Sequence, residues 1–232
     1  MSFWNNVNRA MTVNGVPERD QRYLKDWAEF HIGPDQDVSQ AEDNEQAGLA
    51  KAVFDGIMIM RAHATSEENK VNGWGVPPVG FGRSGVHGNF YIRGAIQSMR
   101  GIVANDAEEA MYMARAKDQN GDSITSEHTY ELHFPSGQTP PARYFWSLTV
   151  YDEDANLMLN DYDRYAISGN SEDLIYENDG SLRILIGGKP PEGMVGNWLP
   201  AGESFTRVTL RVYGPEKAML ERSWKPPQLK RL

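Results

Sequence analysis

The hydrophobic residues of this chain change their period about halfway along the sequence, and this change constrains the fold more than any other feature. Up to about residue 70 they recur at helical spacing, as at Leu24, Trp27 and Phe30. After about residue 110 they alternate with polar residues, as in a strand with one buried face. The pattern predicts helices followed by an assembly of antiparallel strands.

Three helices are predicted before residue 70, separated by glycine–proline breaks at residues 15–17 and 33–34. The first begins near Phe3, the second covers residues 20–30 and the third covers residues 40–63. Four apolar residues share the expected buried side of the third helix: Leu49, Val53, Ile57 and Met60. A further helix is predicted from Tyr91 to about residue 103, after a long loop over residues 71–89 that is rich in glycine and proline.

Five strands are predicted after residue 110, at residues 111–117, 127–134, 144–151, 182–186 and 204–213. Turn signals such as Asn120-Gly121 and Asp179-Gly180 separate them. We therefore predict an α+β protein: an antiparallel, jelly-roll-like β-sandwich over residues 71–232, with a helical N-terminal segment over residues 1–70.

The strand at residues 142–152 has one apolar face and one mixed face. The apolar face, predicted as core, comprises Tyr144, Trp146, Leu148 and Val150. The opposite face comprises Arg143, Phe145, Ser147, Thr149 and Tyr151. It is too apolar for plain solvent and too polar for a sealed core, which indicates the wall of a groove.

The strand near residues 206–213 alternates in the same way, with Arg207, Thr209 and Arg211 on one side. If it neighbours the strand at 142–152 in register, these residues share a face with Ser147, Thr149 and Tyr151. Guanidinium groups beside hydroxyls suit a small anionic or polyhydroxylated ligand, such as a carbohydrate. The predicted ligand-binding residues are Trp74, Tyr91, Arg93, Ser147, Thr149, Tyr151, Arg207 and Arg211. The alternative is that arginine and threonine simply solvate the outside of a sandwich.

Composition excludes several chemistries. The chain has no cysteine, which removes disulfides, thiolate catalysis and cysteine-based metal sites. A net charge of −9 argues against a general nucleic-acid binder. No apolar run is long enough for a membrane span, and the start lacks a signal-peptide pattern. We expect a cytoplasmic protein, with a secretion signal trimmed from the sequence as the alternative.

No metal or cofactor is expected. Glu131 and His133 share a strand face, but an exposed polar face explains them better than a pair of ligands. The stretch from Asp118 to Asp122 spaces oxygen atoms as calcium loops do, yet its glycine is misplaced for an EF-hand and a hairpin is favoured.

Two function classes stay open. A small-molecule binding module is favoured over a cofactor-independent lyase, isomerase or hydrolase that would use tyrosine, histidine or carboxylate groups.

The strand sequence from Phe145 to Asp152 resembles the signature of a bacterial family known as domain of unknown function 1214. The likeness covers about residues 72–232 and extends to these segments: Asn72-Gly73-Trp74, Asn160 with Asp163-Arg164-Tyr165, Asp179-Gly180-Ser181-Leu182, Asn197-Trp198-Leu199-Pro200-Ala201, Arg211-Val212-Tyr213-Gly214-Pro215 and Trp224-Lys225-Pro226-Pro227. The resemblance implies a jelly-roll-like sandwich. The family has no settled catalytic assignment, so the resemblance identifies no catalytic residue in this chain.

Members of that family commonly carry a second domain, of unknown function 1254, ahead of this one, and we expect it to be absent here. Its absence would leave apolar surface on the chain. The helices around Trp4 and Trp27 could cover such a surface in a partner subunit, so a homo-oligomer is expected.

Overall fold

The structure is a computed structural model that describes residues 2–64, 69–78, 82, 88–99, 105–190 and 192–232. The chain divides into two compact units, Met1–Ala62 and His63–Leu232. Each unit is described by itself. The predicted domain boundary at residue 70 stays a prediction.

The first unit contains the three predicted helices. They are α1 (Ser2–Asn14), α2 (Gln21–Trp27) and α3 (Asp43–Ala64), joined by 3-10 turns at Glu18–Asp20, Ala28–Phe30 and Val38–Gln40. The second predicted helix is therefore an α-helix of two turns with a tighter turn at each end. A left-handed residue, His31 with φ 54°, ends it just before Gly33-Pro34.

The core of this unit is small and has a buried amide at its centre. The buried residues Ile32, Val38 and Leu49 pack with Trp4, Met11 and Phe30. Asn8 is buried, and its Nδ2 donates to the carbonyl oxygens of His31 and Gln36 at 2.9 Å. Its Oδ1 accepts from the backbone N–H of Gly33 at 2.9 Å. One asparagine thus satisfies three backbone groups of the loop after α2.

The predicted buried side of α3 is only partly correct. Leu49 is buried, whereas Ile57 is 40% exposed. The reason is that the small core of this unit takes in only Leu49 from α3.

In its described residues the second unit contains one helix of ten residues, α4 (Phe90–Met99), one short helix, α5 (Lys217–Leu220), and ten strands. The strands are β1 (Lys70–Val71), β2 (Trp74–Gly75), β3 (Ala110–Arg115), β4 (Tyr130–Phe134), β5 (Ala142–Tyr151), β6 (Ala166–Ser168), β7 (Leu182–Ile186), β8 (Trp198–Leu199), β9 (Arg207–Pro215) and β10 (Lys230–Arg231). Five of them, β3, β4, β5, β7 and β9, correspond to the predicted strands.

The strands form two sheets that pack as a sandwich. The larger sheet has the order β1-β2-β3-β9-β5-β6, and the smaller has the order β10-β4-β7-β8. Neighbours are antiparallel except β7 and β8, which are parallel. This arrangement confirms the α+β class and the sandwich.

Alternation along the strands builds the core between the sheets. Val208, Leu210 and Val212 of β9 are fully buried, and Leu148 of β5 packs in the same cluster. Tyr144 was predicted on this core face and is instead 63% exposed. The register shifts between Ala142 and Phe145, and such a bulge breaks the alternation before the regular part of β5.

The C-terminal tail is a strap fastened by the hairpin of β1 and β2. The hairpin loop is Asn72-Gly73. Both residues have positive φ, 51° and 81°, as in the two-residue loops whose backbone twist matches that of the flanking strands. The Asn72 side chain donates to the Pro226 carbonyl at 2.8 Å, and the Trp74 indole N–H donates to the Pro227 carbonyl at 2.8 Å. The tail then pairs with β4 through β10.

A buried guanidinium locks this strap to the sheet. Arg115 is 5% exposed, and burial lowers its pKa from the usual value. It donates to the carbonyls of Asn72 at 2.6 Å and Asp118 at 2.8 Å, and to Gln228 Oε1 at 2.8 Å. Because its partners come from three separate segments, Arg115 joins the hairpin, the turn after β3 and the tail.

Gly73→Ala is expected to lower the free energy of unfolding by more than the strain of a left-handed backbone conformation accounts for. A Cβ at Gly73 would lie 2.6 Å from Arg115 Nη1, whereas a Cβ at Gly121 (φ 89°) would meet nothing within 4 Å. Gly121→Ala should therefore lose only the free energy due to left-handed strain, about 1–2 kcal/mol. Gly73→Ala should lose about 1 kcal/mol or more in addition, because its Cβ displaces the guanidinium of Arg115. Urea unfolding of both variants measures the difference. Equal losses would contradict a fixed Arg115.

Candidate functional site

The register of β5 and β9 brings five of the predicted ligand-binding residues onto one face. The cross-strand pairs are Ser147 with Arg211, Thr149 with Thr209, and Tyr151 with Arg207. Since the intervening residues Leu148 and Leu210 point into the core, these six side chains lie on the opposite side of the larger sheet.

Three aromatic residues extend this surface across neighbouring strands. Tyr213 of β9 stacks on Phe145 of β5 with ring centroids 4.6 Å apart. Tyr112 of β3 lies opposite Arg211 in the register and meets Tyr213 edge-on at 6.3 Å. We call the surface formed by these nine residues the outer face: Tyr112, Phe145, Ser147, Thr149, Tyr151, Arg207, Thr209, Arg211 and Tyr213.

Four members of the outer face are not among the predicted ligand-binding residues: Tyr112, Phe145, Thr209 and Tyr213. Of these, Tyr112 comes from a strand that the sequence did not place beside β9. The pairing of β3 with β9 depends on contacts about 100 residues apart in the chain, which local alternation does not report. The available signal is the order Met111-Tyr112-Met113, in which two buried methionines enclose a half-buried tyrosine.

Two arginines converge on one tyrosine at the centre of the outer face. Arg211 Nη2 donates to the Tyr151 hydroxyl at 2.5 Å. The Cζ atoms of Arg211 and Arg207 lie 5.3 Å and 5.4 Å from the Tyr151 ring centroid, within the range of cation–π attraction. Thr149 and Thr209 lie between these pairs and are only 6% and 8% exposed, so they form the floor of the face.

Neither arginine has a carboxylate partner among the described residues. The salt bridges of the described residues are formed by other arginines and lysines, and Arg207 Nε is buried without a hydrogen-bond partner. Asp152 follows β5, but its carboxylate accepts from the Asn156 backbone N–H at 2.7 Å. That bond is the main reason that the pKa of Asp152 is lowered, and the charge of Arg207 is the smallest of the causes. The outer face is therefore locally cationic in a protein of net charge −9.

The Tyr112 hydroxyl is a neutral hydrogen-bonding group at pH 7. Burial raises its pKa from the usual value of about 10, and the neighbouring Tyr213 raises it further. Its oxygen accepts from Asn105 Nδ2 at 3.2 Å. A protonated phenol can donate a hydrogen bond but cannot act as a base.

The three other predicted site residues lie on different elements. Trp74 is fully buried in the sandwich core, and its indole N–H donates to the Pro227 carbonyl of the C-terminal strap. It is therefore a core residue in this structure and does not line a pocket. Tyr91 and Arg93 lie on α4, where Tyr91 is 56% exposed and Arg93 Nη1 donates to the Gly82 carbonyl at 3.1 Å. The glycine-rich loop at residues 80–85, apart from Gly82, and His87 fall outside the described residues.

Arg164 holds two loops together. It pairs with Asp173 Oδ2 at 2.9 Å and donates to the Gly196 carbonyl at 2.5 Å. Arg164 therefore has a structural role. Asp163 has φ 50° in the turn that Asn160 closes, and this turn directs Arg164 towards the neighbouring loops.

Asn197 and Trp198 anchor the strand that ends the smaller sheet. Asn197 is fully buried, and its side chain bonds both the N–H and the carbonyl of Ile175, at 2.8 Å and 2.7 Å, and the carbonyl of Arg183 at 2.9 Å. Trp198 is 2% exposed, with its N–H on the Gly187 carbonyl at 2.8 Å. Asn197 thus supplies an amide that binds the loops, and Trp198 supplies an apolar anchor.

In the part of the chain that the structure describes, no group of three histidine or acidic side chains could hold a metal ion. The Asp118 side chain accepts from the backbone N–H groups of Asn120 and Asp122 at 2.8 Å and 3.1 Å, which is the turn favoured by the sequence. Glu131 faces Arg183 at 3.9 Å and Lys230 at 4.0 Å on the smaller sheet. These carboxylates therefore have structural partners.

A shallow cleft of about 340 Å³ lies between the end of β4 and the C-terminal strap. His133 and Lys225 are its titratable lining residues, and prolines form much of the rest. None of the helices in the described ranges is long and apolar enough to span a membrane.

The fold and the outer face define a two-sheet sandwich domain with a cationic, aromatic sheet surface. Residues 109–217, which include β3 to β9, match the family model described as protein of unknown function (DUF1214). The match confirms the resemblance over residues 109–217. No curated protein matches the chain.

One solved structure shares the fold. The crystal structure of the VPA0106 protein from Vibrio parahaemolyticus matches with a TM-score of 0.64 and 18% identity, over 92% of this chain and 51% of that one. A putative uncharacterized protein from Burkholderia cenocepacia matches with a TM-score of 0.40 and 14% identity, over 98% of this chain and 51% of that one. The chain thus spans about half the length of these proteins.

Asn197→Ala is expected to lower the free energy of unfolding by about 3 kcal/mol, because three buried backbone groups lose their partner. Asn170→Ala is the matched control, since Asn170 is exposed and its side chain makes none of the described bonds. Its expected loss is within about 0.5 kcal/mol. Urea unfolding measures both, and similar losses would show that Asn197 does not anchor the loops.

Alkaline conditions are expected to weaken the fold through Tyr112. The pKa of Tyr112 is higher in the folded state than in the unfolded state, where it is about 10. The stability that this difference contributes is fully present below the unfolded-state pKa and is lost as the pH rises through the folded-state pKa. Between about pH 9 and pH 11 the free energy of unfolding should fall less in Tyr112→Phe than in the unmodified protein. Tyr144→Phe, at a ring that is 63% exposed, is the control and should leave the slope unchanged.

Proposed function

We propose that the outer face binds a small organic anion. The observation that supports this proposal is the pair Arg207 and Arg211, which share one face, flank one tyrosine and have no carboxylate partner among the described residues. A half-buried guanidinium that lacks a counter-ion gains strongly from an anion that accepts its forked N–H groups.

The neighbouring groups suit a ligand that also carries hydroxyls. Ser147, Thr149 and Thr209 supply hydroxyl groups beside the arginines, and each hydroxyl can both donate and accept. Tyr112 adds a neutral donor, and the stacked rings of Phe145 and Tyr213 add an apolar edge. A carbohydrate acid or a hydroxy acid has this combination of features.

A binding role is favoured over an acid–base enzyme by the composition of the outer face. Its nine residues include no histidine and no carboxylate, and the raised pKa of Tyr112 keeps its hydroxyl protonated. General acid–base catalysis works best with a group whose pKa lies near the working pH. The outer face instead provides fixed positive charge and hydrogen-bond donors.

The test is a thermal-shift series at constant ionic strength with lactate, glucuronate and inorganic phosphate, and with glucose as the neutral comparison. We expect the anions to raise the melting temperature, because a ligand at 100 times its Kd stabilises the folded state by about 2.7 kcal/mol. Arg211→Gln should weaken anion binding by about tenfold or more, since a charged hydrogen-bonding partner is lost.

The matched control is Arg183→Gln. Arg183 lies on the smaller sheet and is paired with Glu177 at 3.0 Å, so its loss should leave the anion response unchanged. A response that survives in Arg211→Gln, or that disappears in Arg183→Gln alone, would place any anion site away from the outer face.

A further inference from the structure

The two arginines of the outer face are brought together from distant backbone positions. Arg207 and Arg211 lie four residues apart along β9, which separates their Cα atoms by about 13 Å. Their guanidinium carbons nevertheless lie 5.4 Å and 5.3 Å from the same Tyr151 ring centroid. The two charges are therefore held within about 11 Å of each other, around one aromatic ring.

Each guanidinium contacts Tyr151 in its own way. Arg211 Nη2 donates to the Tyr151 hydroxyl, and Arg207 lies over the Tyr151 ring with its Nε buried. Holding two like charges beside one ring is unfavourable unless something else neutralises them. No described carboxylate forms a salt bridge with either arginine, and Asp152 interacts with Arg207 through its charge without such a contact. The arrangement is suited to a ligand with two separated anionic groups.

We propose that the ligand of the outer face is a small dicarboxylate, with one carboxylate on Arg207 and the other on Arg211. This inference rests on the proposed anion-binding function. A forked guanidinium–carboxylate pair places the two central carbon atoms about 4 Å apart. Guanidinium carbons at most about 11 Å apart then leave about 3 Å between the two carboxylate carbons, which fits a diacid of three or four carbons. Its chain would lie over Thr149 and Thr209, whose hydroxyls could bond a substituent on it.

The experiment is isothermal titration calorimetry with succinate and butyrate, which have the same number of carbons but two and one carboxylates. At constant ionic strength and pH 7.5, succinate should bind the unmodified protein at least about tenfold more tightly than butyrate, because only succinate uses both arginines. Arg207→Gln should bring the affinity for succinate down to that for butyrate. Arg183→Gln should leave the ratio unchanged.

The results separate this inference from the function on which it rests. Equal affinity for succinate and butyrate, with both lost in Arg211→Gln, would overturn the dicarboxylate and leave anion binding at the outer face standing. Tighter binding of inorganic phosphate than of succinate would do the same. Absence of binding by all three anions would overturn both proposals.

Folding of the variants is checked by thermal unfolding before each titration. If Arg207→Gln does not fold, Arg207→Lys replaces it, because lysine keeps the charge and loses the fork. A dicarboxylate preference that stays at its original value in Arg207→Lys and in Arg207→Met would overturn the role of Arg207.

Discussion

The antiparallel pairing of β5 with β9 is the interaction on which the rest of the structure depends. Leu148 faces Leu210 in the core between the sheets. Because side chains alternate, the same register sets Thr149 against Thr209 on the other side. A one-residue slip would bury the arginines and expose the leucines, so the hydrophobic core itself enforces the geometry of the outer face. The packing that stabilises the sandwich also positions the site that we propose for a ligand.

Buried polar side chains organise the segments that have no regular structure. Arg115 joins the C-terminal strap to the larger sheet, and Asn197 joins the loop at Ile175 to the smaller one. Each satisfies backbone groups that would otherwise be buried without partners, which makes them costly to replace. Two segments of the family resemblance, Asn72-Gly73-Trp74 and Asn197-Trp198, serve this purpose. In this protein the contacts that both segments make are architectural.

Predictions from local pattern succeeded where one strand decides the outcome. The strand Leu182–Ile186 was located to the residue, and the alternation of β9 placed its arginines outside the core. Predictions failed where distant segments decide. Trp74 was assigned to a pocket edge because its surroundings are loop-like, yet the C-terminal strap covers it.

The sequence by itself determined which side chains share a strand face, because the two-residue period of a strand is a local property of the backbone. It therefore established that Ser147, Thr149 and Tyr151 point away from the core side of β5. Only the tertiary structure decided that β3 lies beside β9, adding Tyr112, and that Arg207 and Arg211 converge on Tyr151. Strand order and side-chain convergence result from packing between residues far apart in the chain, and no local period encodes them.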